Sequence, residues 1–180
     1  MYYGGIGYYI ITIALGVIVL LRRIMNSDFQ DKIMIICSVL YFSFLFNKVF
    51  LPIFISKEWI EFYSFPGFDV MNSLNLIPLV GMNTSDIWNF VLNIILFIPT
   101  GFIYYYFSQS KSKTILYIFM TSVIIEIAQF IGNYTFQFMW RITDINDVIA
   151  NVLGGLIGLS IIHILISTKL FKRKVLSYKK

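Results

Sequence analysis

The chain has 180 residues, of which 58% are hydrophobic, 18% aromatic and only 13% charged, with a mean hydropathy of +0.80. A soluble domain carries about 25% charged residues, so this chain lacks the polar surface to coat a globule in water, and one compact membrane domain over residues 1–180 is the expected unit. The net charge of +5 would suggest nucleic acid in a soluble protein, but the basic residues lie in short loops and the tail, and no nucleic-acid partner is expected.

Five apolar windows predict an all-α integral membrane bundle, each near the roughly 20 residues needed to cross the hydrocarbon core. They fall at about Gly5–Leu21, Ile33–Phe54, Trp88–Phe107, Thr114–Ile131 and Val148–Ile166. The first starts almost at Met1 without a basic leader, and Arg22-Arg23 follow it, which reads as an uncleaved helix rather than a signal peptide. The second contains Cys37, the sole cysteine, so neither an internal disulfide nor a Cys-rich metal site is available. Lys48 and Pro52 leave its outer end open between a snorkelling lysine and an earlier stop. The segment Ile55–Ile87 is too polar to span and too aromatic for a loop free in water, so it is expected along the interface. Trp59, Phe62, Tyr63, Phe65 and Phe68 there join Tyr8, Tyr9, Tyr134, Phe136, Phe138 and Trp140 in an aromatic belt.

The third window carries Asn89 and Asn93 one turn apart, then Pro99-Thr100-Gly101, which is expected to weaken or kink the helix. The fourth carries Glu126, Gln129 and Asn133. The fifth is introduced by Arg141, Asp144 and Asp147 and continues with Asn151. Its Ala150, Gly154 and Gly158 form a stripe of small residues that permits close backbone approach. His163 lies near its inner end, away from the other polar residues, and reads as an interface residue.

Orientation follows from the loop cations. Arg22, Arg23, Lys32, Lys111, Lys113 and the basic tail 169–180 share one side, against Lys48, Lys57 and Arg141 on the other. That places the amino terminus outside and the carboxyl terminus in the cytoplasm, where the tail attracts anionic lipid headgroups. At a rise of about 1.5 Å per residue, Glu126 lies roughly 18 Å from Thr114, beyond the middle of the membrane. Asn93 and Asn151 lie roughly 6–8 Å inside the outer ends of their helices. All these groups therefore fall in the outer half of the bilayer.

Polar side chains in lipid are costly, so each is a functional candidate. Plain structural readings stand beside the functional ones. Asp144 has the place of a helix cap and Asp147 that of a dipole partner. Arg141 with either aspartate makes an interfacial ion pair, and Asn89, Asn93 and Asn151 make interhelical glue. Glu126 is the hardest to dismiss, because a buried carboxylate needs a partner. The sequence has no HExxH, CxxC, P-loop or GxSxG signature. Glu126, Asp144 and Asp147 have the oxygen chemistry of a divalent-cation site, a weak signal that names no metal or cofactor.

Asn75-Leu76-Ile77-Pro78-Leu79 and Asn93-Ile94-Ile95-Leu96-Phe97-Ile98-Pro99-Thr100-Gly101-Phe102 resemble the first two blocks of the VanZ-like family. Glu126-Ile127-Ala128-Gln129 and the run Arg141-Ile142-Thr143-Asp144-Ile145-Asn146-Asp147-Val148-Ile149-Ala150-Asn151-Val152-Leu153-Gly154-Gly155 resemble the last two. The likeness covers about residues 75–158. Thr100 departs from the apolar residue common there. The resemblance implies a multi-pass protein of the bacterial plasma membrane, of the kind linked to low-level resistance to teicoplanin and related lipoglycopeptides, and it supplies no established reaction.

Two functions remain in view. The first is a cell-envelope binding protein whose outward polar pocket, with Asn75, Asn93, Gln129, Arg141 and Asn151, holds a lipid-linked wall precursor or the drug's lipid anchor. The alternative is an intramembrane enzyme acting on a lipid or polyprenyl-phosphate headgroup. There Glu126 is acid or base, Asp144 and Asp147 a metal or base pair, and Arg141 a phosphate clamp. A small transporter ranks below both, since no inverted repeat is visible.

Overall fold

A computed structural model describes residues 5–50, 67–137 and 141–167. Within them, helix α1 runs Gly5–Met25, α2 Phe29–Phe50, α3 Thr84–Ser108, α4 Lys111–Phe136 and α5 Ile145–Ser167. A short 3-10 turn at Val70–Ser73 leads into the two-residue strand β1, Leu74–Asn75, and β2 at Thr143–Asp144 leads into α5. Trp59, Phe62, Tyr63, Phe65, Phe138, Trp140, Lys57, Pro52 and the tail 169–180 lie outside the described residues.

Helices α2 to α5 are each long and apolar enough to cross a membrane. The described apolar part of α1, Gly7–Leu21, is shorter, although the helix has 21 residues, about 31 Å of rise. A helical membrane bundle is thus confirmed, with four spans clear by length and composition. The predicted end of the second window, residues 51–54, lies outside the described residues. The helices begin at or before the predicted windows, and α1, α3, α4 and α5 also end beyond them, because hydropathy stops at the first polar residues while backbone hydrogen bonding continues. Helix α3 shows why. Asn83 accepts from the backbone of Ser85 and Asp86, and Asp86 accepts from the Asn83 N–H at 2.9 Å. This capping box satisfies donors that would otherwise be orphaned and starts the helix four residues before Trp88. The helix then continues through Pro99 to Ser108.

Contacts divide the chain into two units, Met1–Leu74 with Ala128–Ile142, and Asn75–Ile127 with Thr143–Lys180. In the first, Gly16 of α1 lies against the Val39 side chain of α2. Asn47 donates to Thr12 Oγ1 at 3.1 Å, a polar bond between two apolar helices. Cys37 is exposed on α2.

The second unit is built on glycine. A Cβ on Gly101 of α3 would fall on the Gly155 carbonyl of α5; one on Gly154 or Gly158 would fall on the carbonyl of Ile94 or Ile98. The predicted stripe therefore brings α3 and α5 backbone against backbone, a close approach whose van der Waals packing stabilises helix pairs in lipid. Gly155 meets the Ile118 side chain of α4. Tyr104 of α3 shares a hydrogen bond with Thr121 of α4 at 2.7 Å, and Ser108 with Thr114 at 2.8 Å. Thus α3, the Lys111–Ile127 stretch of α4 and α5 are mutual neighbours.

Candidate functional site

The Asn75-Leu76-Ile77-Pro78-Leu79 segment and the start of α5 meet through side-chain amides and carboxylates. Asp144 Oδ1 accepts from the Asn146 N–H at 2.8 Å, the bond of a helix N-cap. The same oxygen accepts from Asn75 Nδ2 at 3.0 Å. Asn75 Oδ1 in turn accepts a weaker bond from the Ile77 N–H at 3.4 Å. Asn146 Oδ1 accepts from the Leu79 N–H at 2.8 Å, and Glu126 Oε2 from the Asp144 N–H at 2.9 Å.

Glu126 and Asn146 are buried, at 6% and 3% exposure. Glu126 Oε2 and Asn146 Oδ1 each take a backbone donor from another segment, which offsets part of the cost of removing them from water. The cap reading of Asp144 is met. Its bonds to Asn75 and Asn146 tie a loop to a helix start, and Glu126 anchors that start to α4.

One turn deeper, Asn151 of α5 donates to Ser122 Oγ of α4 at 3.0 Å, both residues being buried. The Oδ1 of Asn151 and the Oγ1 of Thr143 have no hydrogen-bond partner among the described residues. Asn93 is half-buried on α3, Asn89 is exposed, and Asp147 is half-buried on the first turn of α5. Glu126, Asp144, Asp147, Asn75, Asn93 and Asn151 all belong to the second unit.

Gln129 and Arg141 belong to the first. Gln129 is buried, and its Oε1 has no partner among the described residues. Arg141 donates from Nη2 to the Lys48 carbonyl at 3.0 Å. That carbonyl is in the last turn of α2, where helix carbonyls lack intrahelical donors and cations are favoured. Asn133, fully buried, grips the Arg141 peptide from both sides: its Nδ2 donates to the Arg141 carbonyl and its Oδ1 accepts the Arg141 N–H at 3.3 Å.

Asn146 and Ser122 were not among the residues singled out from sequence, and Asn133, noted with Glu126 and Gln129 as an intramembrane polar residue, was not assigned a site role. Asn146 stands in the first turn of a helix and reads there as ordinary capping; its bond to Leu79 spans 67 positions, beyond any local pattern. His163 pairs with the Tyr105 hydroxyl at 3.2 Å and meets its ring edge-on. No group of three or more His, Cys, Asp or Glu among the described residues is placed to hold a metal ion. The donor set of Glu126, Asp144 and Asp147 thus does not close into a cation cage.

Long apolar helices, glycine-mediated packing and buried polar residues paired at helix starts and between helices define a polytopic helical membrane protein. The chain belongs to the VanZ/LLP1 family, whose profile matches residues 8–166. No curated protein and no solved structure matched it.

Proposed function

We propose that this protein binds a lipid-linked component of the cell envelope at the outer leaflet of the plasma membrane. The ligand class is a lipid-anchored wall precursor or the acyl anchor of a lipoglycopeptide. One observation carries the preference for binding over catalysis: Glu126 Oε2 and Asp144 Oδ1 are both occupied by hydrogen bonds from the protein itself. A general acid or base must reach a substrate proton, whereas here one oxygen of each carboxylate already serves the protein's own hydrogen bonds. The buried acceptors with no hydrogen-bond partner among the described residues, Asn151 Oδ1 and Thr143 Oγ1, are the polar groups that a hydroxyl or amide donor on a ligand would satisfy once the bundle opens to admit it. Family membership supports the envelope setting, and the outer location follows from the distribution of Lys and Arg.

The test is native mass spectrometry of the protein extracted from its membrane, with and without added lipid-linked wall precursor, beside teicoplanin susceptibility of cells with and without the protein. Retention of the precursor in preference to phosphatidylglycerol, reduced by Asn151→Leu, supports the reading. Turnover of the precursor to a new mass would replace it with the enzymatic alternative. Equal retention of all lipids would remove it.

A further inference from the structure

Between Asn75 and the cap of α3 the chain reads Leu76-Ile77-Pro78-Leu79-Val80-Gly81-Met82, seven residues without a charge. Leu76, Ile77, Leu79 and Val80 are 67%, 63%, 59% and 67% exposed. Those values are close to, or slightly above, the exposure of Trp88, Leu92 and Ile95 on α3, at 64%, 56% and 57%, side chains on a helix long and apolar enough to cross the membrane. Four adjacent large apolar side chains facing water would be a strongly unfavourable surface.

Irregular backbone is excluded from hydrocarbon unless its polar groups are satisfied internally. At positions 77–79 the loop's backbone donors are accounted for. The Ile77 N–H goes to Asn75 Oδ1, Pro78 has no N–H, and the Leu79 N–H goes to the buried Asn146 Oδ1. Three successive positions therefore present no unpaired donor. Leu79 is held at φ 59, a left-handed conformation unfavourable for a bulky residue and one that glycine would adopt freely. Strain retained at a leucine indicates that its side chain is used.

We propose that residues 76–80 are an intramembrane lipid-contact loop. It dips below the headgroups at the amino-terminal ends of α3 and α5 and packs Leu76, Ile77, Leu79 and Val80 against the acyl chains of bilayer lipid. The occupant is set by continuity: the loop's apolar side chains are exposed to a degree similar to those of α3 just after it. The network of Asn75, Asp144, Asn146 and Glu126 is then the polar support that lets a non-helical segment enter lipid.

The test places a nitroxide at Ile77→Cys or, separately, Val80→Cys in a Cys37→Ser background. The protein is reconstituted in vesicles of phosphatidylglycerol and phosphatidylethanolamine. Power saturation compares collision with oxygen, which partitions into lipid, and with a water-soluble nickel chelate. Ile95→Cys serves as the lipid-facing reference and Ser85→Cys as the interfacial one. The expected oxygen-to-nickel ratio at both loop sites is several-fold above that at Ser85 and close to that at Ile95. Adding Asn146→Ala should lower the ratio at Ile77 while leaving Ile95 unchanged. A ratio at both loop sites equal to that at Ser85, in protein whose Ile95 label still reports lipid, overturns the proposal. The measurement reads depth alone, so its outcome is independent of which ligand the protein binds.

Discussion

The Glu126 side chain accepts the backbone N–H of Asp144 at 2.9 Å, which ties the only acidic residue of α4 to the residue that caps α5. A carboxylate deep in a membrane helix therefore does structural work on a neighbouring helix start. The pair separates two roles that a single substitution would confuse, since Gln can also accept that N–H while Leu cannot.

Glu126→Gln is expected to accumulate and melt close to the parent, whereas Glu126→Leu leaves the Asp144 N–H without its acceptor, at a cost of about 1–3 kcal/mol. Thermal unfolding in detergent measures this. A functional carboxylate shows itself if the Gln variant folds normally yet loses lipid retention or drug tolerance.

Asn75 and Asp144 should be energetically coupled. Asp144→Ala removes a cap worth about 1 kcal/mol, and Asn75→Ala should cost less in that background than in the parent. A coupling of about 0.5 kcal/mol or more in a double-mutant cycle is expected. Additive losses would show that the 3.0 Å bond contributes nothing to stability.

Gly101→Ala and Gly154→Leu should sharply reduce folded protein, because a side chain at either position meets backbone of the opposing helix rather than a movable side chain. Gly7→Ala, with open space around it, is the matched control and should leave the yield unchanged. Size-exclusion profiles of the detergent-extracted variants distinguish these outcomes.

Asn133→Ala should destabilise more than Arg141→Ala. Asn133 is fully buried and holds both polar groups of the Arg141 peptide, so its loss strands two backbone groups at about 1–3 kcal/mol for each that water cannot reach. Exposed Arg141 contributes one bond to a helix end, worth about 1 kcal/mol or less. Comparable losses from the two variants would assign Arg141 a larger structural role.

Reporter fusions at Lys111 and Lys180 should both report the cytoplasm. Most Lys and Arg fall in the segments expected on that side, against Lys48, Lys57 and Arg141 on the other. A surface signal from either fusion would overturn the orientation and, with it, the outer-leaflet setting of the proposed function.

The sequence by itself determined the solvent, the helices and the contact stripe. Hydropathy is additive along the chain and helical periodicity is local, so runs of apolar residues and the four-residue spacing of Ala150, Gly154 and Gly158 could be read without coordinates. The burial of Glu126 and the capping place of Asp144 were legible for the same reason. The partners were not. Whether Glu126 would meet a cation, a metal or a backbone N–H depends on which segments arrive beside it. The bonds Asn75–Asp144, Asn146–Leu79 and Asn133–Arg141 join positions 69, 67 and 8 residues apart. Only the tertiary structure decided that these amides are committed to backbone and to a carboxylate, because a hydrogen bond is set by distance and direction in space, which no local spacing encodes.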